Sequence, residues 1–373
     1  LRNRRLGNPE PSNKNMEVSI MANPASYREQ VKIENTVKLR EFLQELPPYV
    51  KEYFRAKETT TSDKTRLSYA YDLRVFFRFL KETNPALSDK PLSEISLSDL
   101  SMLKPVDFEE FEEYLKAYRT PDQRIETNSR IGIARKMSCL RSFYDYLCKR
   151  ELLTTNPVRL VDMPKIKEKA IIQLDTDEVA ALLDYMENYG NYLTGVKLFH
   201  YQKQKYRDIA IVTLLLGTGV RVSELVGLNI QDVDFKNNGI RIIRKGGNEM
   251  IVYFGEEVER ALTDYLELQR NGITPLSGHE DALFLSGQKK RISVDAVEKM
   301  VKKYCSAVSV KTITPHKLRS TYGTALYRET GDIYLVADVL GHADVNTTKK
   351  HYAKLSDERR RSASKAVILR EKS

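Results

Sequence analysis

The sequence predicts a mainly helical, α+β protein of two units: a helical bundle, then a mostly helical unit with a small antiparallel sheet. Three observations carry this reading. Apolar residues recur at three- and four-residue spacing through most of the chain. Strand-like composition is concentrated in one stretch, GIRIIRKGGNEMIVYF. A basic, proline-containing segment near residues 157–172 separates the two halves.

The chain opens on a polar stretch rich in Asn, Pro and Arg, expected to be a flexible arm over residues 1–32. It does not start with Met, and Met16 and Met21 are both candidate initiators. A first helical region begins near Glu34 and is broken at Pro47-Pro48. In TTTSDKTRLSYAYDLRVFFRFLKET, Ser62 or Asp63 can cap a strong amphipathic helix. Tyr69, Leu73, Phe77 and Leu80 form its apolar stripe. After a loop holding Asn84-Pro85 and Lys90-Pro91, Phe108, Phe111, Leu115 and Tyr118 mark another helix. The stretch SRIGIARKMSCLRSFYDYLCKREL repeats the amphipathic pattern through Ile133, Met137, Leu140, Tyr144 and Leu147. Lys64, Arg66 and Arg74 on one of these helices, and Arg130, Arg135, Lys136 and Arg141 on the other, are expected to stand off the stripes. They are candidates for phosphate contact, or simply a solvated helix face.

Beyond the linker, Asp175 or Thr176 opens a helix through DEVAALLDYMENY. The run YRDIAIVTLLLG is almost wholly apolar and ends at Gly217, so it reads as a buried core helix. Two β-rich arms around Gly246-Gly247 read as a hairpin. Further helices are expected at 256–270, 293–307, 316–328 and 332–340.

Composition narrows the function classes. The net charge is +10, which suits a polyanionic partner and equally suits solubility. No apolar run approaches the length of a membrane span, and the N-terminal residues lack a secretory signal's apolar core. The three cysteines, Cys139, Cys148 and Cys305, are an odd number without a CxxC, against a disulfide framework or a zinc site. Reduced thiols and a cytoplasmic location follow. Neither a GxxxxGK loop nor HExxH occurs, and no acidic metal cluster is evident.

Four fragments of the second unit carry chemistry. Arg221 follows the Thr218-Gly219 turn, and Lys245 stands at the hairpin tip. His316 and Arg319 lie three residues apart, on one side of a helix. Leu340-Gly341-His342 is followed, ten residues on, by Tyr352. Each alone has a bland explanation: a surface arginine, a solvated lysine, a local hydrogen-bonded pair, a packed tyrosine. Their joint occurrence in this order is specific.

With these residues the second unit resembles the tyrosine recombinase, or phage integrase, family over about residues 172–360. Residues 40–160 are similar, more weakly, to that family's helical core-binding domain. The segment ITPHKLRSTYGTALYRETGDIYLVADVLGHADVNTTKKHYAK carries most of the resemblance. Ser320 stands where many members have His, and the His342 to Tyr352 spacing is one residue longer than in several members. That form resembles integrases and Xer-like recombinases of Gram-positive mobile elements.

The resemblance implies a site-specific recombinase that cuts and rejoins DNA through a 3′-phosphotyrosine and a Holliday junction. It implies a C-shaped clamp on DNA: a core-binding domain at 33–160, a linker at 161–171, a catalytic domain at 172–357 and a tail at 358–373 for subunit contact. The implied catalytic residues are Arg221, Lys245, His316, Arg319, His342 and the nucleophile Tyr352. Arg221 and Arg319 would hold the phosphate, and Lys245 would protonate the leaving 5′-oxygen. His316 would assist deprotonation of Tyr352, and His342 would hydrogen-bond the phosphate. Arg244, beside Lys245, joins the DNA-binding candidates. Glu224 and Asp232 are expected to be structural partners of nearby arginines or backbone. No metal and no cofactor is implied. The implied partners are double-stranded DNA with inverted-repeat core sites and a homo-tetramer on that DNA, with room for accessory DNA-bending proteins and no membrane. The apolar Ala366–Leu369 patch either folds back on its own domain or docks on a neighbour. The rival readings are a type IB topoisomerase-like enzyme and a non-catalytic DNA-binding protein on the same fold.

Overall fold

Capping residues set where most helices of the first unit begin. The computed structural model describes residues 26–165, 172–244, 247–342 and 345. The arm before residue 26, Lys245, Tyr352 and the tail lie outside the described residues. The chain divides into two units, Leu1–Lys167 and Glu168–Ser373.

In the first unit, serines cap helices α1 (Tyr27–Gln44), α3 (Asp63–Thr83), α4 (Leu97–Ser101) and α6 (Arg130–Lys149). The caps are Ser26, Ser62, Ser96 and Ser129, each accepting from a backbone N–H of the first turn. Proline opens α2 (Pro48–Ala56) and α5 (Pro105–Tyr114), where its missing N–H is no loss. The expected stripes of α3 and α6 are buried, apart from a half-buried Tyr69. Burial on α3 extends further, to Ala70, Val75, Phe76 and Phe79. Aromatic rings fill the core: Phe76 stacks on Phe108 at 5.6 Å and meets Phe111 edge-on at 5.2 Å.

Three expectations need correction here. The first helix starts at Tyr27, earlier than the Glu34 region, because Ser26 and Glu29 form a reciprocal capping box. The helix of Phe108 and Phe111 stops at Tyr114; Tyr118 instead lies on β1 (Tyr118–Arg119), paired with β2 (Ile125–Glu126). There its hydroxyl donates to Glu126 at 2.7 Å. Finally, Arg66 and Lys136 do not stand off the stripes but are buried. The cause at Lys136 is Asp72, a carboxylate turned into the α3–α6 contact. Arg135 grips it with two guanidinium nitrogens and Lys136 approaches it at 3.6 Å while donating to Asn128 at 2.9 Å.

At its end the first unit includes residues expected in the linker. Val158 and Val161 are buried in its core, and Arg141 donates to both of their carbonyls.

The second unit is built around α9 (Lys205–Thr218), the expected core helix. It follows α7 (Thr176–Asn188) and α8 (Gly195–Gln202), and leads through a turn to α10 (Val222–Gly227). Asp175 is the N-cap residue of α7. A three-stranded antiparallel sheet follows, in the order β3 (Val233–Asp234), β4 (Gly239–Ile243) and β5 (Glu249–Tyr253). The hairpin register pairs Ile240 with Val252 and Ile242 with Met250. Then come α11 (Glu256–Leu268), α12 (Val294–Val308), α13 (Pro315–Thr330) and α14 (Ile333–Leu340). Helix α9 packs against α7, α11 and α13. Its first turn is not apolar: Arg207 and Asp208 are buried as a pair, with Tyr304 donating to Asp208 at 3.1 Å. Among the described residues no helix is long and apolar enough to cross a membrane.

Candidate active site

Two left-handed glycines end the helices that frame the site. Gly219 ends α9 at φ +63°, and Gly341 ends α14 at φ +61°. At Gly341 the ending is a Schellman motif: Gly341 N donates to Asp338 O at 2.8 Å, and His342 N to Ala337 O at 2.9 Å. His342 is thereby anchored at the foot of α14.

Arg221 stands at the N-cap of α10. Glu224 accepts from its backbone N–H at 2.8 Å and from its Nη1 at 2.8 Å, which fixes the side chain's root. Its Nη2 then donates to Gly341 O at 2.9 Å. Arg319, on α13, is 4% exposed and bridges two helix ends: Nη1 donates to Gly219 O, and Nη2 to Leu340 O. Arg244, at the end of β4, donates to Asp338 O at 3.0 Å and Val339 O at 2.6 Å. Four successive carbonyls, those of residues 338 to 341, thus each receive a guanidinium N–H. The last carbonyls of a helix lack intrahelical partners and form the negative end of its dipole. That end gathers three cations that would otherwise repel. Burial lowers the pKa of Arg244, and the nearby Arg221 charge adds to this, offset by Glu224 and Asp338.

The structure therefore brings Arg221, Arg319 and His342 together, with Arg244 beside them. His316 sits exposed in the first turn of α13, one turn before the buried Arg319. Lys245 and Tyr352 are outside the described residues. Glu224 and Asp232 take the structural parts expected of them, Asp232 accepting from Arg241 at 2.8 Å and from Asn229 N at 2.9 Å. Chemically, the cluster offers planar donor forks suited to an oxyanion. The Arg221 side chain is 35% exposed, whereas Arg319 is buried.

The basic residues of the helical unit divide. Lys64 and Arg130 are exposed. Arg135 is exposed at its rim but holds Asp72 and Ser68. Arg66 pairs with Glu58 at 3.5 Å, and Arg74 lies 4.0 Å over the Phe42 ring and pairs with Glu45 at 3.5 Å. Lys136 and Arg141 serve the packing described above.

Residues 173–359 match the phage integrase family, and residues 50–151 match the SAM-like N-terminal domain of phage integrases. The chain belongs to the phage integrase family. This integrase-family chain is 35% identical over 343 residues to the tyrosine recombinase XerC of Caldanaerobacter subterraneus subsp. tengcongensis, covering 88% of the chain and 90% of that protein. It is 32% identical over 350 residues to the tyrosine recombinase XerS of Streptococcus agalactiae serotype III, covering 88% of the chain and 98% of that protein. Its fold is similar to that of the XerH site-specific recombinase bound to a palindromic difH substrate, with TM-score 0.60 at 18% identity, covering 91% of this chain and 90% of that one. It is likewise similar to the Tn1549 transposon integrase in complex with transposon right end DNA, with TM-score 0.59 at 21% identity, covering 83% of this chain and 98% of that one. The family member described here is a tyrosine site-specific recombinase, and the topoisomerase-like and non-catalytic readings are not favoured.

Proposed function

We propose that this recombinase cleaves each DNA strand by attack of Tyr352 on a phosphodiester, forming a 3′-phosphotyrosine bond, and exchanges strands through a Holliday junction. The observation that carries the reading is the convergence of Arg221 and Arg319 on the C-terminus of α14, beside His342, which stands ten residues before Tyr352. In the attack the Tyr352 oxygen bonds to phosphorus and the 5′-oxygen leaves. Arg221 and Arg319 stabilise the charge that builds on the non-bridging oxygens. His316 assists removal of the tyrosine proton, His342 hydrogen-bonds the phosphate and Lys245 protonates the leaving oxygen. A partner strand's 5′-hydroxyl then attacks the phosphotyrosine, so the bond energy is kept and no ATP is consumed.

The partner is double-stranded DNA with inverted-repeat core sites, on which the chain assembles as a homo-tetramer. Exposed Lys64 and Arg130, and the rim of Arg135, are the helical unit's candidates for phosphate contact. The cytoplasm and a mobile element are the setting that fits. A two-site recombination assay run beside a supercoil relaxation assay tests the reading: recombinant product is expected, and relaxation without exchange would overturn it.

The guanidiniums do electrostatic work that many nucleases give to a metal. Cleavage is therefore expected to continue unchanged in excess EDTA; a loss that magnesium restores would contradict this. A 5′-bridging phosphorothiolate leaves as a thiolate that needs no proton. It is expected to restore cleavage by Lys245→Ala but not by Arg319→Ala, and equal restoration of both would remove Lys245 from the general-acid role.

A further inference from the structure

We infer that Arg244 is a positioning residue, which braces the end of the β4–β5 hairpin against the C-terminus of α14 and through that brace supports the part proposed for Lys245, its neighbour in the chain. The inference deepens the proposed mechanism and rests on Lys245 acting in it.

The brace has two ends. At the hairpin, the Arg244 backbone N–H donates to Asn248 O at 2.8 Å, and Gly247 N donates back to Arg244 O at 3.1 Å. Residue 244, one beyond the last paired residue of β4, is thus held by backbone hydrogen bonds to the far arm of the hairpin, and Lys245 follows it in the chain. At the helix, the guanidinium reaches Asp338 O and Val339 O, 94 and 95 residues away in sequence. A fork of two N–H donors on two successive carbonyls defines direction as well as distance, which an ammonium group does not.

Gly341 gives an independent sign that the space is shaped for this side chain. Any Cβ at Gly341 would overlap the Arg244 guanidinium. The residue's φ of +61° already favours glycine, so the Schellman turn and the seat for Arg244 are satisfied by the same residue. Arg319 and Arg221 occupy the next two carbonyls. The order along α14 is therefore Arg244, Arg319, Arg221, and the two proposed phosphate-holding groups and the hairpin are referred to one helix end. Arg244 differs from those two in what it positions. Its backbone belongs to the hairpin, so loss of its side chain frees the hairpin end from α14 while Arg319 and Arg221 keep their carbonyls.

A double-mutant cycle on single-turnover cleavage tests this, using the full chain and one duplex site. Arg244→Ala is expected to slow cleavage by about 10- to 100-fold, the scale of misplacing a reacting group by an ångström. Lys245→Ala is expected to slow it by about 10²- to 10⁴-fold. If Arg244 acts through Lys245, the double variant cleaves within about twofold of Lys245→Ala, the agreement expected when one residue's effect is already lost. Multiplying effects would overturn the inference. This cycle reads coupling whatever chemical step Lys245 performs, so it stands apart from the general-acid assignment. The 5′-bridging phosphorothiolate tests that assignment: failure to rescue Lys245→Ala would sink the general-acid reading, while rescue of Lys245→Ala without rescue of Arg244→Ala would sink the brace. Binding at two salt concentrations excludes the alternative of a phosphate contact. Arg244→Ala is expected to leave affinity and its salt dependence unchanged, and a shallower salt slope would contradict the inference. Arg244→Gln, which keeps a neutral donor for one carbonyl, is expected to fall between wild type and Arg244→Ala in cleavage rate and supplies the same readouts if the alanine variant folds poorly.

Discussion

Arg319→Ala is expected to abolish measurable cleavage, a loss of about 10³-fold or more, since a single oxyanion donor is worth about 10²–10³ and this side chain offers a fork. The same change is expected to lower stability by about 1–3 kcal/mol, because it strands buried backbone carbonyls. Those carbonyls belong to Gly219 and Leu340, so one side chain ties the end of α9 to the end of α14. Arg319→Lys keeps the charge but not the geometry. It should recover part of the DNA affinity and little of the cleavage. Measuring cleavage at a temperature where both variants remain folded, as judged by their helical signal, separates the two effects. Near-normal cleavage by folded Arg319→Ala would remove this residue from the chemistry.

Asp72→Ala is expected to destabilise the helical unit by about 3–5 kcal/mol, the range for removing one partner of a buried pair. The residue left behind is Lys136, which is 4% exposed and whose other acceptor is the neutral Asn128 oxygen. Desolvation raises the Asp72 pKa despite the pull of Arg135 and Lys136, and desolvation likewise lowers that of Lys136. Burial thus outweighs attraction at both partners, so the pair need not be a net source of stability. Replacing both, as Asp72→Leu with Lys136→Met, is expected to recover most of the loss. Chemical denaturation of the single and double variants checks this. A double variant as unstable as Asp72→Ala would mean that the carboxylate itself, not the stranded lysine, matters.

Local signals made much of this fold legible. Ser62 marks the start of α3, and the stripes of α3 and α6 are visible as period; Ser26, which caps α1 well before Glu34, went unread. The hairpin follows from β-rich arms around glycine. What else escaped reading depends on partners distant in sequence. Asp72 looks like an ordinary polar position of α3 until Arg135, 63 residues on, is placed against it. Arg207 and Asp208 open an otherwise apolar helix, and two of the partners that satisfy them in burial, Tyr304 and the Leu285 carbonyl, are distant in sequence. Strand β3 is two residues long, too short to show alternation.

At the site, the motif residues stand out in the sequence, but the partners that Arg221, Arg244 and Arg319 take in the fold do not. The order of Arg221, Lys245, His316, Arg319, His342 and Tyr352 is a sequence pattern, and it lies within the span that matches the family. That three arginines divide the α14 carbonyls among themselves has no local signature. Arg244 shows the difference: its charge suggested DNA, while its guanidinium is engaged with the backbone of residues 338 and 339. The one available sign was the glycine of Leu340-Gly341-His342, which requires a left-handed turn and also clears the space.

The central claim, a covalent bond between DNA and Tyr352, is tested most directly by trapping. A nicked suicide substrate loses the short fragment beside the cut, so the reverse reaction is prevented and the adduct accumulates. Proteolysis and mass measurement of the DNA-linked peptide then identify the attached residue. The account predicts a peptide carrying the DNA on Tyr352, and for Tyr352→Phe normal binding with no adduct. Tyr322 is the instructive competitor, since it lies on α13 close to Gly219, but burial raises its phenol pKa and disfavours the phenoxide. DNA attached to Tyr322 or Tyr327, or an undiminished adduct from Tyr352→Phe, would contradict the account.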